Sequence, residues 1–297
     1  MNAGRKGNGR LGEKTVRMLT HPCFAASVPG VLMRRFLRGV DKRTGLFSPH
    51  FVTALNATER PPYAYCLYNA AVLARKLGLE AMSVIEFGVA GGNGLVFLDN
   101  FAKRVQNALN LRIEVYGFDT GEGLSAPVGH EDMPYWYRGS LYRMDVASLK
   151  SRLSTAQLVL GDVRQTVSRF FAEHNPAPVG AMFNDLDLYS STAGSLRIFD
   201  HAPGHFLPRV FMYFDDVIGT ETAMFGDCNG ELRAIADFNR SHDRIQIVPN
   251  RNILPRYDLN YRHKVFYAHL FGHPLYSRYI GEDEQRHFEV TLSLSNR

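Results

Sequence analysis

The sequence predicts an α/β fold, a mostly parallel sheet covered by helices on both faces. Three observations carry that prediction. Short β-rich runs alternate with helical stretches along most of the chain. Several of those runs end in glycine or acidic residues, as strand ends facing a ligand crevice do. And 297 residues, 45% hydrophobic and 21% charged, can bury a real core, which rules out wholesale disorder.

The length allows one or two domains. With no convincing repeat or linker, residues 1–60 read as a basic N-terminal extension and 61–297 as one domain. The first dozen residues, rich in Gly, Asn and Arg, favour disorder. Residues 1–43 hold ten Lys/Arg against Glu13 and Asp41, a balance of +8; the whole chain carries +5, so residues 44–297 carry −3. An apolar run follows the first basic residues, but Pro29, Arg34 and Arg35 interrupt it and it has no clear small-residue cleavage site, so export is not expected. No stretch approaches the roughly 18 apolar residues that span a bilayer. Cys23, Cys66 and Cys228 are too few and too scattered for a disulfide framework or a Cys-based zinc site, which fits a reducing cytoplasm.

Pro61-Pro62 open a helix with an apolar stripe at Cys66, Ala70, Leu73 and Leu77, basic residues Arg75 and Lys76 in its last turn, and Gly78 placed to cap it. Ser83–Phe87 reads as a strand, and Leu95, Leu98, Ala102, Val105 and Leu109 mark one face of the next helix. Further strands are expected at Arg112–Phe118, Gln157–Leu160, Val179–Phe183, Arg209–Phe214, Lys264–Leu270 and Phe288–Leu294, with a helix over Gly230–Arg240.

The sharpest local signal is the turn from Val84 to Gly94, spaced Glu86-x-Gly88-x-x-x-Gly92-x-Gly94. Glycines let the backbone turn tightly and approach a ligand. A dinucleotide site wants G-x-G-x-x-G, but the third glycine position holds Phe97, which argues against a nicotinamide-dependent oxidoreductase. An acid beside the turn suits a cationic ligand better than a pyrophosphate. The next strand ends in Gly117-Phe118-Asp119-Thr120, where Asp119 can accept hydrogen bonds from both hydroxyls of a ribose, and the third in Leu160-Gly161-Asp162. Any one of these could be a packing loop or a solvated end; three in succession are harder to explain that way.

From Tyr63 onward the chain resembles a class I S-adenosyl-L-methionine-dependent methyltransferase. The resemblance implies a Rossmann-like, doubly wound seven-stranded sheet with its last strand antiparallel. It also implies cofactor contacts at Glu86, Gly88, Val89, Ala90, Gly92 and Gly94 around the methionine part, Asp119 and Thr120 at the ribose, and Asp162 and Val163 at the adenine.

Two more strand ends carry acids, Asn184-Asp185-Leu186-Asp187-Leu188-Tyr189-Ser190-Ser191-Thr192 and Asp215-Asp216. Clustered carboxylates repel one another unless a cation sits between them or some are protonated. Oxygen-only ligands suggest a hard divalent ion, with Mg²⁺ first. Helix capping by Asp187 and an exposed turn at Asp215-Asp216 stay open on these residues alone.

The pattern D-x-D-L-Y-x-S-T followed by D-D is similar to the macrocin O-methyltransferase (TylF-like) family, metal-dependent enzymes that methylate sugar hydroxyls on natural products. That resemblance implies metal ligands at Asp185, Asp215 and Asp216, with Asp187 as general base or substrate contact beside a catalytic Asp185, and a hydroxylated small-molecule acceptor. Two departures stand out: His205–Arg209 replaces the expected hydrophobic-Gly-Gly turn, and Asn184 replaces a hydrophobic residue. The segment Ala126–Arg143, with the only tryptophan, Trp136, could cover the site or be a packed surface loop. His201 and His205 are alternative bases. The basic arm keeps a nucleic-acid or membrane-surface reading open, including an RNA-modifying enzyme, although the acidic body lacks an aromatic-basic strip. A lid or a homo-oligomer contact is a milder role for the arm.

Overall fold

The structure is a computed structural model that describes residues 28–253 and 260–282. The expected disorder of the first dozen residues and the strand expected at Phe288–Leu294 lie outside them.

Strands β1 (Ala81–Phe87), β2 (Arg112–Asp119), β3 (Gln157–Leu160), β4 (Val179–Asn184), β5 (Phe206–Phe214), β6 (Ile245–Pro249) and β7 (Val265–Leu270) form one sheet in the order β3-β2-β1-β4-β5-β7-β6. The first five are parallel, and β7 runs antiparallel to both β5 and β6. This is the Rossmann-like arrangement expected from the sequence. The strand order reverses between β1 and β4, the place where open α/β sheets form a ligand crevice.

Helices cover both faces because strand side chains alternate. On one side Met82 and Val84 of β1, Ala181 and Phe183 of β4 and Tyr213 of β5 pack with helices α3 (Pro61–Lys76) and α4 (Asn93–Leu109). On the other, Ile85, Phe87, Met182, Met212 and Phe214 pack with α6 (Val163–His174), α7 (Tyr189–Leu196) and α8 (Gly230–Ser241). A short α5 (Val146–Arg152) precedes β3.

The packed core reaches upstream of Pro61. Helices α1 (Val28–Thr44) and α2 (Pro49–Ala54) precede α3, and Val52, Leu55 and Ala57 are buried in the same cluster as the α3 stripe. Arg104 of α4 grips both carboxylate oxygens of Asp41 at 2.8 and 2.9 Å and also donates to the Phe47 carbonyl. The expected division at residue 60 therefore crosses one hydrophobic core.

Two strand assignments differ from expectation. β6 has no counterpart among the expected strands: it is a five-residue edge strand ending in Pro249, and only its Ile247 is buried, so its apolar alternation is weak. β5 begins at Phe206 rather than Arg209, running through Pro208 where the pairing with β4 shifts register. Among the described residues no helix is long and apolar enough to cross a membrane.

Candidate active site

The turn after β1 is shaped by close backbone approach. Gly88 has φ +82° and donates its N–H to the Phe118 carbonyl at 2.9 Å; a Cβ there would lie 1.8 Å from the Asp185 carbonyl oxygen. Gly94, in the first turn of α4, faces Glu86, whose Oε1 would stand 1.8 Å from a Cβ. Glu86 is buried with its Oε1 accepting the Tyr63 hydroxyl at 2.9 Å and its Oε2 unpartnered. Burial pushes its carboxyl up to about 8, against the partial relief of the Tyr63 hydrogen bond and the Arg60 charge.

Asp119 closes the turn. Its Oδ2 accepts the N–H groups of Val89 and Ala90, both at 2.9 Å, and its Oδ1 accepts that of Gly121 at 2.7 Å. A carboxylate offers about four acceptor positions. With three already taken by backbone, Asp119 has room for one further hydrogen bond, fewer than the two ribose hydroxyls that the sequence alone suggested. Asp162 caps α6 through the Arg164 N–H at 2.9 Å and is forked by the Arg164 guanidinium, which holds its carboxyl below the usual range.

A cavity of about 400 Å³ opens along the carboxyl ends of the strands. Its wall carries Gly88, Ala90, Asp119 and Thr120 from the first two strand ends, Asp162 and Val163 from the third, and Asp185, Asp187, Asp215 and Asp216 from the fourth and fifth. Glu86, Val89, Gly92 and Gly94 stand behind that wall rather than on it.

The sheet's own hydrogen bonding delivers the acidic cluster. Asp185 donates its N–H to the Phe87 carbonyl at 2.9 Å, and Asp215 donates to the Asn184 carbonyl at 3.0 Å, so both side chains leave neighbouring strands at one height. One carboxylate oxygen each from Asp185, Asp215 and Asp216 lies within 4.8 Å of the others. Lys264 Nζ sits 3.0 Å from Asp215 Oδ1, which also accepts the Tyr213 hydroxyl. Tyr137 donates to Asp216 Oδ1 at 3.0 Å, and Asp216 Oδ2 is buried without a partner. Burial, and then repulsion from Asp215, push the carboxyls of Asp185 and Asp216 upward. Asp187, held at φ +61°, is raised by burial and by Asp216. An all-oxygen donor set with surplus negative charge and an orphaned carboxylate oxygen fits a hard divalent cation.

Several contributors escaped the sequence reading. Asp132 is buried; its Oδ1 accepts the Ser190 N–H at 2.7 Å, and its Oδ2 accepts the Ser190 hydroxyl at 2.9 Å and the Val128 N–H at 2.8 Å. The first turn of α7 is thus capped from the 126–143 segment, and Asp187 is not the cap. That segment does reach the cavity, but through Ala126, Val128 and Tyr142; Trp136 does not line it. Asn184 is polar because it ties elements together, donating to the Tyr213 carbonyl at 3.3 Å and accepting the Ser195 hydroxyl at 3.1 Å. His201 and His205 are not bases at this site: His201 Nε2 lies 3.0 Å from the Val167 carbonyl, His205 stacks on Phe171 with centroids 4.1 Å apart, and both precede β5, at the other end of the strand from Asp215.

No family profile matches the chain, and no curated protein matches it. Solved structures do resemble it. The chain is similar to CalS11, a calicheamicin methyltransferase, at 22% identity and a TM-score of 0.47, covering 82% of this chain and 93% of that one. It is similar to the O-methyltransferase NovP at 10% identity and a TM-score of 0.49, covering 86% and 98%. It is also similar to an O-methyltransferase from Bacillus cereus in complex with SAH at 14% identity and a TM-score of 0.35, covering 79% and 88%.

Proposed function

We propose that this chain is an S-adenosylmethionine-dependent O-methyltransferase that acts on a hydroxyl of a small molecule, a sugar or glycosylated natural product, with Mg²⁺ held by Asp185, Asp215 and Asp216. One observation carries the reading: a single cavity joins the glycine turn, Asp119 and Asp162 at one end to the acidic cluster at the other. The carboxylates favour a ligand bearing a sulfonium and an ammonium and would repel a pyrophosphate. Phe97, at the position of a third dinucleotide-motif glycine, packs against Phe101 and Tyr63, which leaves the nicotinamide reading without its motif.

In this reading the cofactor supplies a methyl group on a sulfonium, and the divalent ion supplies a Lewis acid that lowers the proton affinity of the acceptor hydroxyl. The chain supplies alignment and proton handling. Asp119 holds the glycine turn and offers its remaining acceptor position to a ribose hydroxyl, with Asp162 and Val163 at the adenine end. Asp187 takes the proton of the acceptor hydroxyl on its carboxylate; burial and Asp216 raise its proton affinity towards that of an effective base near neutral pH. Val128 and Tyr142 line the same cavity. Titration calorimetry with S-adenosylhomocysteine tests the first half: binding is expected for the wild type and lost in Asp119→Ala. A wild type that binds NAD and ignores S-adenosylhomocysteine would overturn the assignment.

A further inference from the structure

Behind the acidic cluster, α8 opens with Gly230 and then Glu231, whose side chain is wholly buried. Glu231 Oε2 accepts the main-chain N–H of Asp216 at 2.8 Å. The placement coincides with the point where the sheet stops. Asp215 still donates its N–H across to β4, at the Asn184 carbonyl, whereas the N–H of Asp216 is met by Glu231 instead. A side chain from a helix thereby extends the hydrogen-bonded path of β5 by one residue, onto the residue whose carboxylate must face Asp185 and Asp215. From the other side, Tyr137 fixes Asp216 Oδ1. Asp216 is therefore held at its main chain by α8 and at its side chain by the 126–143 segment. The other Asp216 oxygen, Oδ2, is left without a partner.

We infer that Glu231 is a positioning residue for the divalent cation, holding the main chain of Asp216 so that its unpartnered carboxylate oxygen joins those of Asp185 and Asp215. The inference rests on the cation reading given above. Partners that orient a metal ligand without touching the metal typically change affinity by about ten- to a hundredfold. Glutamine at this position keeps a carbonyl acceptor for the Asp216 N–H, and alanine removes it.

The test is titration of cofactor-free wild type, Glu231→Gln and Glu231→Ala with Mn²⁺, followed by calorimetry and by the electron paramagnetic resonance signal of the free ion. Circular dichroism and S-adenosylhomocysteine binding report whether each variant is folded. The Mn²⁺ dissociation constant of Glu231→Ala is expected to rise at least about tenfold, and that of Glu231→Gln to stay within about threefold of wild type. Wild-type binding with an unchanged Glu231→Ala, or with Glu231→Gln as weak as Glu231→Ala, overturns the inference and leaves the cation reading standing. A wild type that takes up no Mn²⁺ overturns both. Should Glu231→Ala not fold, the glutamine variant decides alone: near-wild-type affinity with an unchanged bound-Mn²⁺ spectrum supports the inference, and a tenfold loss overturns it.

Discussion

Gly88→Ala is the most demanding perturbation of the site, because it strikes the contact between the glycine turn and the acidic cluster. The residue sits at φ +82°, where a Cβ costs about 1–2 kcal/mol. The new methyl would stand 1.8 Å from the Asp185 carbonyl oxygen, so one side must retreat by roughly 1.5 Å to reach ordinary contact. Neither side is free to do so. Asp185 is tied to the Phe87 carbonyl at 2.9 Å, and Gly88 to the Phe118 carbonyl at 2.9 Å. Adding overpacking of about 1–3 kcal/mol and the weakening of one such hydrogen bond, the expected loss is about 3–5 kcal/mol. Any retreat also carries Asp185 away from Asp215. The matched control is Gly91→Ala, in the same turn, where a Cβ meets nothing within 4 Å. Its expected effect is under about 0.5 kcal/mol. Urea denaturation reads stability, and calorimetry with S-adenosylhomocysteine reads the site. If Gly88→Ala matches Gly91→Ala in both, the close approach between turn and cluster is not what organises the cavity.

Three further outcomes are expected. Mg²⁺ should raise the wild-type melting temperature, by about 2.7 kcal/mol of stability at a hundredfold excess over its dissociation constant, while Asp185→Asn should melt higher than wild type without metal and ignore added Mg²⁺; an equal metal response in both would remove Asp185 from the ligand set. Glu86 keeps its proton in the folded chain up to about 8 but loses it near 4.5 when unfolded, so stability should fall as pH rises between those values. Glu86→Gln should flatten part of that slope and be the more stable form at pH 8, on the order of a few kcal/mol, and a slope unchanged by the substitution counts against the buried, protonated state. Asp132→Ala, which strips the cap from α7 and orphans the Val128 N–H, should cost about 2–4 kcal/mol in chemical denaturation; a loss under about 0.5 kcal/mol would show that the 126–143 segment is held some other way.

Much of this molecule is legible along the chain. The alternation of strands and helices, the turn after β1 and the acids at successive strand ends are local features, set by side-chain period and by residues adjacent in sequence. Parallel strands of one sheet end on the same side, so acids at several strand ends imply a shared crevice. What stayed hidden came from across the chain. Tyr137 meets Asp216 over 79 residues, Asp132 meets Ser190 over 58 and Lys264 meets Asp215 over 49. None of the three sits in a periodic pattern or a motif that announces its partner. The edge strand β6 was hidden for another reason: with only Ile247 buried, it shows little hydrophobic alternation. The acids themselves belong to the sequence. Their spacing, their partners and the orphaned oxygen of Asp216 belong to the tertiary structure, because crossover connections decide which distant side chains are packed together and therefore which charges share one desolvated space.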